Sequence, residues 1–268
     1  MHARILGFIS IKGGVGKTST VANIGTLLAK DYGKSVLLVD ANFSGPNLGL
    51  HFGFTQPQHT LHDVLEGRIP VQRAIYEHSP GLHLLPASLL SRRVTTEPFK
   101  GIIHSLRNQY DFILLDSSPC LNEEILATIT TSDELYILTT PDYVTLASTL
   151  HALKTARQKK VKVAGILINK IRGKKYELDM NQIEDITHVP VVSLLTFDES
   201  MLKAVSKTTP VAVLSPRAEA AIQYRKLSAA LAGERYNDPR ILSKVKKLFS
   251  KGLSKEEINR AVLMESHY

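Results

Sequence analysis

Apolar residues fall in short runs along this chain: Ile5–Ser10, Ser35–Val39, Leu82–Pro86, Phe112–Leu115, Leu135–Thr139, Val163–Ile168 and Val189–Leu194. Most are Val, Ile and Leu without polar alternation, the pattern of strands buried on both faces. Between them the period changes. Thr18 to Lys30 carries Val21, Ile24, Leu27 and Leu28 at helical spacing, with Gly33 as a stop, and Val144 to Gln158 reads as a second helix. Alternating strands and helices predict an α/β fold, a mostly parallel sheet with helices on both faces. The polar stretch Gly233 to Arg240 contains Asp238-Pro239 and marks a boundary. It divides a domain of residues 1–233 from a short helical tail of residues 234–268.

The tail has its own pattern. Ile241, Leu242, Val245, Leu248, Phe249 and Leu253 share one helical face, and Lys244, Lys246, Lys247 and Lys251 lie off it. Such a basic amphipathic helix suits a membrane interface. Gly252 stops it. Ser254 to Glu257 then reads as a capping box opening a second helix, with Ile258, Ala261 and Val262 on one face. The two helices are expected either to meet in a hairpin that hides these faces or to dock a protein.

Candidate chemistry begins at the end of the first run. "ISIKGGVGKTST", Ile9 to Thr20, follows the phosphate-binding pattern G-x-x-x-x-G-K-[ST] except that Ile11 stands where the first Gly belongs. Gly13, Gly14 and Gly16 still let backbone N–H groups face an anion, and a helix N-terminus beginning near Lys17 adds partial positive charge. Lys17 is expected to reach the β and γ phosphates, and Thr18 to offer a hydroxyl to Mg²⁺. Two acids close strands elsewhere: Asp116 in "YDFILLDSSP" and Asp40 in "SVLLVDANFSGPNLGL". Ligands of open α/β sheets gather at those strand ends, so both are candidate metal-shell groups.

The run Lys12-Gly13-Gly14-Val15-Gly16-Lys17-Thr18-Ser19 resembles the deviant Walker A loop of the MinD/ParA ATPases, P-loop proteins of which the chain is most similar to the MinD-like branch. "LLVDANFSGPNLGLHFG" resembles their switch I, "YDFILLDSSP" their switch II and "GILINK" their base-recognition strand. The resemblance covers roughly residues 3–232, with the motifs in family order. It implies an ATP- and Mg²⁺-dependent homodimer. Nucleotide would be held by Lys12 to Ser19 and by Asn169, which matches the adenine-reading residue. Lys12 matches the signature lysine that crosses to the partner's phosphates, where a cation stabilises phosphoryl transfer. Thr18, Asp40 and Asp116 match the metal shell. One departure stands out: the family's Asp-x-Asp in switch I is here Asp40-Ala41-Asn42. An amide holds a water but takes no proton. Hydrolysis is therefore expected to be slow or to need a partner, with Lys12, Lys17, Asp40 and Asn42 as the catalytic set.

Composition narrows the setting. No apolar run is long enough to span a membrane. A single cysteine excludes an internal disulfide or an all-Cys zinc site and fits a reducing cytoplasm; the tail stripe adds the expectation of peripheral attachment to the inner face of the cell membrane. Cys120 is expected to be a small buried residue beside switch II, too few thiolates for a cluster-carrying reductase. His51, His59 and His62 match no strong metal spacing and read as surface polar groups. The net charge of +8 favours anionic partners. Nine Lys or Arg and no acid between Lys154 and Lys175 raise nonspecific DNA binding as the second choice, behind an anionic membrane bound through Ile241 to Leu253. A biosynthetic ligase on the same fold is the third.

Overall fold

The computed structural model describes residues 2–90, 94–238 and 253–265. The amphipathic stripe from Ile241 to Lys251 lies outside the described residues.

Eight strands form one sheet: β1 (Arg4–Ile9), β2 (Val36–Ala41), β3 (Tyr76–Ser79), β4 (Leu82–Leu85), β5 (Phe112–Ser117), β6 (Glu134–Thr139), β7 (Lys162–Ile171) and β8 (Val191–Thr196). Their order is β3-β4-β2-β5-β1-β6-β7-β8, and every pairing is parallel except β3 with β4. Strand side chains alternate between two layers. Leu6, Phe8, Leu38, Leu114 and Leu138 face α1 (Lys17–Tyr32) and α9 (Glu219–Leu231). Ile5, Leu37, Ile113 and Ile137 face α3 (Phe99–Ser105), α4 (Glu123–Thr131) and α5 (Tyr143–Gln158) on the other side. The apolar stripe of α1 (Val21, Ile24, Leu27 and Leu28) is fully buried, each side chain worth about 1.5–3 kcal/mol of transfer from water. Gly33 ends that helix in the left-handed region, φ 61°, where its N–H reaches the Ala29 carbonyl.

All seven runs read from the sequence are strands. The eighth, β3, has no apolar run: Tyr-Glu-His-Ser lies at the sheet edge, half exposed, so burial never wrote a pattern into it. β7 is longer than its apolar run and carries Asn169 inside the strand, followed by Lys170 at φ 61°.

The second tail helix, α10 (Lys255–Glu265), does open on the Ser254–Glu257 capping box. Its packing on the domain uses the opposite face and does not hide Ile258 and Val262. Ile258 and Val262 are 48% and 60% exposed, while Glu256, Arg260 and Leu263 are buried. The cause is the neighbouring strand. β8 is the last strand of the sheet, and its outer N–H and C=O groups need partners. Glu256 accepts from the Leu194 N–H at 3.1 Å, Asn259 donates to the Val191 carbonyl at 2.8 Å, and Arg260 donates to the Val192 carbonyl at 3.2 Å. Arg260 also pairs with Glu256, and Lys255 with Glu184 of α6 (Met180–Thr187). Polar side chains thus stand in for a ninth strand.

Candidate functional site

The chain leaves β1 between β5 and β6 and turns through Ser10 to Gly16 into α1. Gly14 and Gly16 take φ 75° and 98°, which L side chains rarely adopt. At Gly16 a Cβ would also lie 2.3 Å from Asn169 Nδ2, so a side chain there would push that amide off the loop. No side chain caps the start of α1, and its first turn holds no acid. The N–H groups of the loop and first turn therefore form an anion-binding end.

Around this end three strands place their polar termini. Parallel pairing sets Asp40 of β2 directly opposite Asp116 of β5, and Asp116 opposite Phe8 of β1. Both carboxylates are buried. Burial, and then the Asp116 charge, push Asp40 above the usual carboxylate range, although N–H groups of Leu48, Asn42 and Asn47 oppose this. Burial also pushes Asp116 up, against the Thr18 hydroxyl and the Lys17 ammonium. Lys17 is itself buried, which lowers its pKa, while Asp116 and Cys120 act in the other direction. One oxygen of Asp116, Oδ1, has no hydrogen-bond partner. Two adjacent carboxylates, a hydroxyl and an orphaned oxygen fit a hard divalent cation such as Mg²⁺, which takes oxygen ligands and relieves like-charge repulsion.

Switch I folds tightly around Asp40. The N–H groups of Asn47 and Leu48 donate to Asp40 Oδ2 at 3.0 and 2.9 Å, and that of Asn42 to Oδ1 at 3.2 Å. Asn42 is buried; its Nδ2 donates to the Gly45 carbonyl and its Oδ1 has no partner. Lys12 is half exposed. Its Nζ donates to Thr145 Oγ1 at 2.9 Å and lies 3.9 Å from Asp142, the N-cap of α5. Within one subunit, then, Lys12 rests on the start of α5.

Asn169 comes to the loop from β7. Its Nδ2 donates to the Val15 carbonyl at 2.7 Å, and its Oδ1 accepts from the Lys170 N–H at 2.8 Å. The amide buttresses the loop, a role its position at a strand end did not suggest. Beyond it, an open cleft of about 650 Å³ is lined by Ile171, Arg172, Gly173, Lys174, Thr196 and Phe197. The Arg172 guanidinium stacks 4.6 Å from the centre of the Phe197 ring on its wall.

Several expectations need correction. Cys120 is exposed, not buried, because it follows Pro119 in the loop that leaves β5. His62 is 1% exposed, not a surface group; it packs edge-on against Phe43 beneath switch I, and its Nδ1 accepts from the Ser88 N–H. No cluster of three metal-ligating His, Cys, Asp or Glu occurs among the described residues. The basic run splits: Lys154 to Lys160 sit near the end of α5, while Lys170 to Lys175 lie beyond Asn169. The ten residues of β7 separate the two groups by about 30 Å. Sequence reasoning also missed His51, which bonds Ser19 in the first turn of α1 at 3.1 Å. Burial pushes its pKa down, against a bond to the Asn47 carbonyl. A lone histidine in an apolar stretch gives no signal.

A glycine loop, a buried lysine and two strand-end carboxylates at the carboxyl edge of a parallel sheet define a P-loop nucleotide-binding fold. The description of the CobQ/CobB/MinD/ParA nucleotide binding domain matches residues 6–211, and the chain belongs to that family. It is similar to an uncharacterized ATP-binding protein of Methanocaldococcus jannaschii, 28% identical over 239 residues that cover 88% of this chain and 90% of that protein. Against the septum site-determining protein MinD of Synechocystis it is 27% identical over 240 residues, 86% of this chain and 90% of that one. The crystal structure of the Pyrococcus furiosus cell division ATPase MinD superposes with a TM-score of 0.79 at 26% identity, covering 92% of this chain and 99% of the other.

Proposed function

We propose that this protein binds Mg-ATP at the glycine loop, dimerises face to face with nucleotide between the subunits, and acts as a switch that positions itself or a cargo on a membrane surface. The observation that carries the reading is the meeting of Lys17, Thr18, Asp40 and Asp116 at one strand edge. In it Lys17 and the N–H groups from Gly13 to Ser19 hold phosphate oxygens. Thr18, Asp40 and Asp116 hold Mg²⁺, which neutralises phosphate charge when bound. Asn169 keeps the loop in shape and faces the base side. Asn42 orients the attacking water without taking its proton, so turnover is slow. Lys12 exchanges Thr145 for the partner's phosphates. Tyr143 and Val144, 68% and 71% exposed at the start of α5 beside it, support a subunit contact on that face.

The membrane reading rests on the stripe from Ile241 to Leu253. No described helix is long and apolar enough to cross a membrane, so attachment would be peripheral. One short helix binds weakly; two on a dimer bind together through effective concentration. DNA is the weaker choice because the basic run is split across the sheet. Truncating the tail would strip the cover from β8, so the test keeps the full chain. Wild type and Leu248→Glu/Phe249→Glu are sedimented with anionic vesicles or DNA, with ATP or ADP. The reading predicts ATP-dependent vesicle binding that the double substitution abolishes. Salt-sensitive DNA binding, indifferent to the substitution, would replace it with the DNA reading.

A further inference from the structure

One side chain outside the groups placed above joins the two sides of the site. His51 stands in the 3-10 turn Gly49–Phe52 in the last part of switch I. Its Nδ1 lies 3.2 Å from the Asn47 carbonyl and its Nε2 3.1 Å from Ser19 Oγ. A carbonyl only accepts, so Nδ1 carries the proton and Nε2 accepts from the Ser19 hydroxyl. The line continues at both ends. The Asn47 N–H donates to Asp40 Oδ2 at 3.0 Å. The Ser19 carbonyl accepts from Asn23 Nδ2 at 2.7 Å, and Asn23 Oδ1 accepts from the Ala212 N–H of α8 (Val211–Leu214) at 2.9 Å. Asn23 is 2% exposed, which anchors that end in the core.

We infer that His51 is a positioning residue, holding the Asp40 side of switch I at a fixed distance from the Thr18 turn of α1 through its bonds to Asn47 and Ser19. The inference rests on the Mg-ATP reading, in which Asp40 and Thr18 serve one metal shell. The physical case is preorganisation. Asp40 sits at the end of β2 and Thr18 at the start of α1, and the loop from Asn42 to Leu48 must keep its N–H groups on Asp40. A planar ring bonded at both nitrogens resists their separation, whereas an apolar residue at 51 would pack but bridge nothing. Ser19 takes part with its hydroxyl, leaving its N–H for phosphate.

The test compares wild type, His51→Leu and His51→Gln by titrating a fluorescent ATP analogue in excess EDTA and in excess Mg²⁺. Hydrogen exchange of residues 42–50 is followed alongside. In EDTA the three proteins are expected to bind within about two-fold of one another, because the loop is intact. In Mg²⁺, His51→Leu is expected to lose about ten-fold in affinity, the effect of one or two hydrogen bonds. Its switch I amides should exchange faster, and His51→Gln, which can restore one of the bonds, should recover much of both losses. Unchanged Mg²⁺-dependent affinity in His51→Leu would overturn the inference. So would an equal loss in EDTA and Mg²⁺, or a Gln variant no better than Leu, either of which marks mere packing. Wild type that binds the analogue in neither condition would refute the Mg-ATP reading itself.

Discussion

Replacing Arg260 by methionine tests whether α10 is held by its charged face. Arg260 is 6% exposed and Glu256 9%. Arg260 Nη1 donates to Glu256 Oε1 and to the Val192 carbonyl, and Glu256 Oε1 also accepts from the Leu194 N–H. Methionine keeps the stem and deletes both bonds. Losing a charged hydrogen bond costs about 1.5–3 kcal/mol, and a stranded carbonyl about 1 more. A net loss of about 3 kcal/mol shifts the docking equilibrium by about 100-fold. The Leu194 amide reports it directly, since its N–H is held by Glu256 and exchanges when α10 lifts. Hydrogen exchange of the Leu194 amide should therefore quicken by about 100-fold in Arg260→Met. In Ile258→Ser/Val262→Ser it should change by less than about three-fold, because surface substitutions usually stay within about 0.5 kcal/mol. Exchange that is unmoved in Arg260→Met and fast in the serine pair would show that the apolar face does the docking, and the reasoning would be wrong.

Three further outcomes follow from the same contacts. Asn42→Asp restores a carboxylate where a base contributes typically about 10²–10⁴-fold, so steady-state ATP turnover should rise by at least about ten-fold; an unchanged rate contradicts the role given to Asn42. Asp116→Asn removes the carboxylate that faces Asp40 and Thr18, so added Mg-ATP should no longer raise the thermal unfolding midpoint as it does in wild type. A variant stabilised by Mg-ATP as much as wild type would count against the role given to Asp116. Glu184 works upward through burial, but its bonds from Lys255, the Val191 N–H and Asn259 win and hold it below its ordinary value of 4.5. Its contribution to docking is present above pH 4.5 and is lost as pH falls through the lower folded value. Exchange over residues 255–265 should quicken in that acid window, and Glu184→Gln should flatten the dependence.

The sheet was legible wherever burial is two-sided. Phe112–Leu115 and Leu135–Thr139 are central, covered on both faces, and their composition says so. β3 escaped because an edge strand with one packed face needs no apolar run. The phosphate loop and both acids were readable because their chemistry demands particular residues at strand ends. His51 was not, since its role depends on the return of switch I to α1, a tertiary contact. The polar packing face of α10 was not legible for a related reason. Helical periodicity assumes that apolar residues go inward, yet here the inward neighbour is an unpaired strand edge that calls for carboxylate, amide and guanidinium groups.

In the proposed switch ATP, through Lys12, makes the dimer. Sedimentation velocity of the full chain in Mg-ATP and in Mg-ADP, with wild type beside Lys12→Ala, reads this out. A dimer is expected only for wild type in Mg-ATP, and monomers in the other three samples. Wild type that sediments identically with both nucleotides, or a Lys12→Ala protein that dimerises as well as wild type, would contradict it.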